Sequence, residues 1–179
     1  VSSNLHPIEE LAALLKESTA KPLIVPARLA PSALYDVEYR TAVIALVFAR
    51  FARTIAPSTL RKISAAKLKL MQFVALRPWL LPAIREWSTV GPHEGLAFAH
   101  SIRIRRGFLS DTAHDDVVNY LTACRILARQ DTQIVEGKHA DVLVAIAKSV
   151  VEANLFSSEL AVINELDGIT ISNQMLEGW

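Results

Sequence analysis

Between Ala42 and Ala52 the chain reads AVIALVFARFA, apolar on nearly every face of a helix. Such a helix is buried on all sides within a domain or covered by a partner. It is expected to start near Tyr35 and to end before Pro57. Ser64 stands where it can cap a second helix, SAAKLKLMQFVALR, in which Leu68, Leu70, Met71, Val74 and Ala75 face a core while Lys67 and Lys69 stay in water. Pro78 stops that helix, and PWLLPAIREW supplies a short one with Leu80, Leu81, Ile84 and Trp87 inward. Gly91–Pro92, between Thr89 and Glu94, signals a turn. SIRIRRGFL then alternates Ile102 and Ile104 with Arg103 and Arg105, the period of a half-buried strand. Asp111 is placed to cap TAHDDVVNYLTACR, with Asp115 and Asp116 in its early turns and Val117, Val118, Leu121 and Cys124 on the buried side. ILARQDTQIVEG reads as two short strands turning at Gln130–Asp131–Thr132. Beyond Gly137 come a strongly apolar helix, HADVLVAIAKSVVEANLF, a shorter capped one, SSELAVINEL, and a terminal strand in GITIS.

Ahead of these elements, residues 1–34 form an amphipathic arm and a linker. His6–Pro7–Ile8–Glu9–Glu10 is a good helix start, because Pro suits the first helical position and acids suit the positive helix N-terminus. Ile8, Leu11, Ala12 and Leu15 then share one apolar face that calls for a surface to lie on. Pro22, Pro26 and Pro31 keep the following segment extended. Residues 35–179 form one helical domain. The order helix, helix, strand, helix, ribbon over residues 64–136 resembles a winged helix, although in the usual order the strand precedes the second helix. The expected class is mostly α, of the α+β kind: a winged-helix-like core with additional long helices and a small β-ribbon.

Hydrophobic residues make up 51% of the 179 and charged ones 21%, which excludes general disorder and favours a packed, helix-rich chain. Lone Cys124 permits no intramolecular disulfide and is expected to be a small buried apolar group. The first residues lack a basic, apolar leader pattern. The longest apolar run, Thr41 to Ala49, is far below the roughly 20 residues of a membrane span, so a cytoplasmic protein is expected. The net charge of +1 hides a division: Arg40 to Arg106 carries 12 basic and 2 acidic residues, whereas Gly107 to Trp179 carries 4 basic and 11 acidic. Either the basic middle steers an acidic partner, or the acidic last third folds over it and neutralises it.

Candidate chemistry is sparse. The sequence has no glycine-rich phosphate loop and no Gly-x-Ser-x-Gly elbow. His6, His93, His100, His114 and His139 include no pair at metal-binding helical spacing. His93–Glu94 and His114–Asp115–Asp116 are the local meetings of imidazole and carboxylate, and the second serves a helix N-terminus more simply than catalysis. No catalytic, cofactor or metal residue is therefore assigned. Arg103, Arg105 and Arg106, with Lys62, Lys67 and Lys69, form the candidate stripe for phosphates or an acidic partner; the alternative is a solvated edge strand guarded by charge. The helix from Asp111 to Arg125 is too acidic for a DNA reader, which points to a protein partner. Arg50 and Arg53 suit a helix C-terminus and could also pin an acidic partner; with Ile8, Leu11 and Leu15 they are the expected partner-helix contacts.

ISAAKLKLMQFVALRPWLLPAIREW, YRTAVIALVFARFAR and GFLSDTAHDDVVNYLTACRILARQDTQIV together resemble the small middle component of bacterial three-component ABC-ATPase systems, a group that includes the small subunit of Lamassu-type anti-phage defence. The resemblance runs from about Tyr35 onward and rests on size, order and texture. It implies a non-catalytic winged-helix adaptor between an SMC- or Rad50-like ATPase and an effector such as a nuclease, in a complex that senses foreign DNA. It brings no catalytic residue with it. The competing expectation is a stand-alone winged-helix transcriptional regulator that binds double-stranded DNA; an unrecognised enzyme stands third.

Overall fold

A computed structural model of the chain describes residues 36–56, 59–90 and 105–171. The expected arm, the proline linker, the Gly91–Pro92 turn and Ile102 to Ile104 lie outside the described residues.

Helix α1 (Val37–Phe51) opens at Asp36, whose carboxylate accepts from the Tyr39 N–H at 2.8 Å. Its interior is buried by the chain itself: Val43, Ile44, Ala45 and Val47 have no exposed surface. The all-apolar pattern therefore reflects a central position, with α2, α4, α5 and α6 packed around one helix. After the two-residue strand β1 (Arg53–Thr54) the chain forms β2 (Arg61–Ser64) and passes directly into α2 (Ala65–Ala75). Ser64 caps α2 as expected, its hydroxyl accepting from the Lys67 N–H at 3.2 Å. A 3₁₀ turn (Pro78–Leu80) leads into α3 (Leu81–Val90), which buries Ile84 and Trp87.

Residues 105–109 are helical and precede α4 (Thr112–Ala123). Strands β3 (Leu127–Gln130) and β4 (Gln133–Glu136) form the expected hairpin, with Asp131 at φ 52° in its turn. Helices α5 (Asp141–Glu152) and α6 (Ser157–Asp167) complete the described fold. The sheet order is β1-β2-β4-β3, antiparallel throughout, with Ile63 opposite Ile134. The carbonyl of Thr132 in the hairpin turn accepts from the Ala65 N–H at 2.8 Å, so the hairpin also satisfies the start of α2.

This arrangement corrects the expected strand. Arg105 and Arg106 are helical, and the strand that pairs with the hairpin is Arg61–Ser64, ahead of α2. The succession α1, β2, α2, α4, β3, β4 is thus the usual winged-helix order, with α3 and its flanks inserted between the second and third helices. Gly168 to Ile171 form no strand; Ile171 instead drops into the core. Nor does Asp111 cap α4 through its side chain, because its carboxylate is turned into the core.

Close junctions hold the wing. Past α4, Arg125 takes φ 58° and its carbonyl accepts from the His139 N–H at 2.9 Å, while the Gly137 N–H donates to Ile126. A Cβ on Gly137 would lie 2.3 Å from that Arg125 carbonyl oxygen, so only glycine fits there. Asn154 and Phe156, between α5 and α6, also hold positive φ. Phe156 packs edge-on against Tyr39 with ring centroids 5.0 Å apart, and Tyr39 donates to Glu159. Burial, and then that acceptor, push the Tyr39 hydroxyl above its ordinary pKa. These contacts fix α6 to the start of α1.

Candidate functional site

The basic middle is largely turned onto the acidic last third. Among the described residues seven ion pairs join the two stretches: Arg40 and Arg77 with Asp111, Arg50 and Arg53 with Asp167, Arg61 with Glu136, Lys69 with Asp115, and Arg85 with Glu165. Of the two outcomes open to the charge division, internal neutralisation is therefore a fact of the fold for seven of the eleven described basic residues of that stretch. Arg50 and Arg53 do pin an acid, and it is Asp167 of the same chain, at 2.8 and 3.8 Å.

One of these pairs is deeply buried. Arg40 Nη2 lies 2.9 Å from Asp111 Oδ1, with side chains only 1% and 4% exposed. Beside them Gln72 Nε2 donates to the Arg40 carbonyl at 3.0 Å, which leaves Gln72 Oε1 as acceptor for His114 Nδ1. That geometry fixes the Nδ1–H tautomer of a neutral imidazole. Burial, outweighing the opposing pull of Asp115, lowers the His114 pKa to about 4. The cluster ties α1, α2 and the start of α4 together by side chains that have nowhere else to go. Its four members carry no reacting group open to a substrate, so it is an architectural site. The sequence shows Arg40, Gln72, Asp111 and His114 as ordinary polar residues; only the long-range packing brings them together.

The predicted phosphate stripe is divided by the structure. Lys62 stands opposite Arg53 across β1 and β2, and Lys67 Nζ lies 5.7 Å over the Phe51 ring, so both belong to the carboxyl end of α1. Lys69 is not in open water as expected: it is 2.7 Å from Asp115 and lies over Phe108. Arg105 and Arg106 are exposed on the helical residues ahead of α4; Arg103 lies outside the described residues. At Glu136, burial alone would raise the carboxyl, but Arg61 donates from both its backbone N–H and Nε at 2.8 Å and holds it below its ordinary value.

In winged helices that read DNA the third helix enters the major groove. Here α4 exposes Thr112, Asp116, Asn119, Tyr120 and Ala123. Asn119 Oδ1 accepts from Arg129 of the wing at 3.1 Å. The helix itself contributes Asp116 and no cation to that face, and the Arg129 guanidinium beside it comes from the wing, a poor set for gripping phosphate through the helix. Cys124, expected to be buried, is half-buried at the end of the helix. No group of three or more His, Cys, Asp and Glu is placed to hold a metal among the described residues. No described helix is long and apolar enough to cross a membrane.

An open apolar groove adds a feature beyond the charged residues. A groove of about 520 Å³ runs between α1, α5 and α6. Leu46 and Ile163 form its buried floor, and Val144, Val151 and Leu160 are among the apolar side chains along its walls. Val144 and Val151 are 47% and 55% exposed. Arg50, Arg61, Lys148 and Glu152 stand around it. The signal in the sequence was the surplus on α5: Leu143, Ile146, Ala147 and Val150 already satisfy one buried face, so Val144 and Val151 are left for another.

Fold and site together define a mostly helical α+β protein with a small four-stranded antiparallel sheet, a basic stretch largely paired with an acidic one, and an open apolar groove. No family model, curated protein or solved structure matches the chain.

Proposed function

We propose that this chain is a non-catalytic adaptor, acting in the cytoplasm, that joins an SMC- or Rad50-like ABC ATPase subunit to an effector subunit such as a nuclease in defence against foreign DNA. The observation that carries this role is the groove between α1, α5 and α6, where valines stay in water on a helix whose other face is already packed. Apolar surface left open beside a well-filled core marks a place where another protein docks. The resemblance to the small middle component of Lamassu-type systems supplies the identity of the partners. The acidic face of α4 supports a protein, rather than a duplex, as the main contact.

A tagged chain purified from its native host should retain an ABC ATPase subunit through gel filtration, with the effector in the same peak. Recovery of the chain alone, as a well-behaved monomer that binds one DNA sequence, would instead establish the stand-alone regulator. That second role is favoured by one observation, the winged-helix order with Arg105 and Arg106 exposed ahead of α4. Reversing both charges separates the two: a phosphate-binding patch loses affinity for all DNA sequences alike and its salt dependence flattens.

A further inference from the structure

Resting on the adaptor role above, we infer that the groove seats a single amphipathic helix of the partner subunit, with its apolar stripe against Val144, Val151 and Leu160 and its acidic residues toward the carboxyl end of α1. The walls have the right period. Val144 and Val151 lie two turns apart on α5, roughly 10 Å along its axis at 1.5 Å per residue, the spacing of i and i+7 anchors on an incoming helix.

Charge selects the occupant. Around the end of α1 stand Arg50, Arg53, Arg61, Lys62 and Lys67, and among the described residues the carboxylates that face them are Asp167 and Glu136. Five cations against two acids leave a surplus at that end, where Arg50 and Arg61 line the groove itself. Arg53 and Lys62 are moreover directly opposite across two strands, an arrangement of like charges that Asp167, 3.8 Å from Arg53 and shared with Arg50, offsets only in part. The α5 side is different, because Lys148 and Glu152 lie 3.6 Å apart and cancel each other. An apolar helix without acids would fill the walls and leave that surplus unanswered; an acidic peptide without an apolar stripe would leave the valines in water.

The test uses the full chain and a fluorescent synthetic helix with leucines at i, i+3, i+4 and i+7 and three glutamates at one end. Anisotropy should report saturable binding, about tenfold weaker when lysines replace the glutamates, which corresponds to the loss of one favourable charge contact. Val151→Asp should abolish binding while the circular dichroism spectrum stays unchanged, since Val151 is exposed; Arg53→Glu should erase the preference for the acidic peptide. Equal binding of both peptides, or retention by the Val144→Asp and Val151→Asp variants, overturns the assignment. So does a dimer of the wild-type chain that Val151→Asp dissolves, because a second copy would then be the occupant. In the native purification, an ATPase still held by Val151→Asp rejects the groove but leaves the adaptor role standing. Failure of the wild-type chain to hold any ATPase rejects the adaptor role, while the peptide titration still judges the groove.

Discussion

Arg40–Asp111 and Arg85–Glu165 join the same two stretches of the chain, one basic and one acidic, but they live in different solvents. The first pair is 1% and 4% exposed, wrapped by three helices and backed by Gln72 and His114. The second is 57% and 45% exposed. Inside, neither partner can return to water without opening the core, so Arg40 and Asp111 stay paired, with Arg77 3.5 Å from the same carboxylate. Outside, water and salt compete for both ends, and the pair can exchange its partner at little cost. Charge complementarity between distant segments thus has two results in one molecule: a fixed joint at the centre and a set of exchangeable contacts around it. The arginines beside the groove belong to the second kind, which suits them to a docking surface.

The largest way to sharpen that contrast is Arg40→Met, which leaves the buried Asp111 with Arg77, 3.5 Å away, in place of its closest cation. Urea unfolding should show a loss of about 3–5 kcal/mol, and Arg40→Met combined with Asp111→Leu should recover much of it. A loss below 1 kcal/mol would place Arg40 with the surface pairs.

Acid should attack the same cluster next. His114 is neutral in the fold with a pKa of about 4, against 6.5 when unfolded. Its folded value is depressed, so the unfolded state takes up the proton first. The stability it allows is complete above pH 6.5 and drains away as pH falls toward 4, with a slope of up to about 1.4 kcal/mol per pH unit. His114→Gln should remove that slope in thermal melts between pH 6.5 and 4, whatever it does to stability at pH 7.

The smallest effect belongs to the exposed pair: Arg85→Ala should change stability by less than about 1 kcal/mol, and 1 M salt should reduce even that. A loss comparable to that of Arg40→Met would erase the distinction between the two regions.

Local signals in the sequence were read well where the physics is local. The Ser64 cap, the hairpin at Asp131 and the uniformly apolar α1 each follow from residues within a few positions of one another. The strand that pairs with the hairpin escapes local reading for the opposite reason. Ile102, Arg103, Ile104 and Arg105 alternate, but the helical turn at 105–109 takes Arg105, whereas RKIS shows only Ile63 as an apolar residue and becomes a strand by pairing with distant β4. The candidate site divides in the same way. Opposite charge in the two stretches was visible, and so was the surplus of apolar residues on α5. Which arginine meets which carboxylate is decided by packing across the whole chain, as is the pairing of part-buried Lys69 with Asp115.

The left-handed junction at Arg125 has a practical side. An exposed arginine held at φ 58° spends steric energy of the order of 1 kcal/mol on a shape that glycine adopts freely. Nothing in the wing hangs on that side chain; the turn is held by the carbonyl behind it. Trimming residue 125 to glycine is thus a route to a hardier protein for crystallography or engineering, one that leaves both the core joint and the groove untouched.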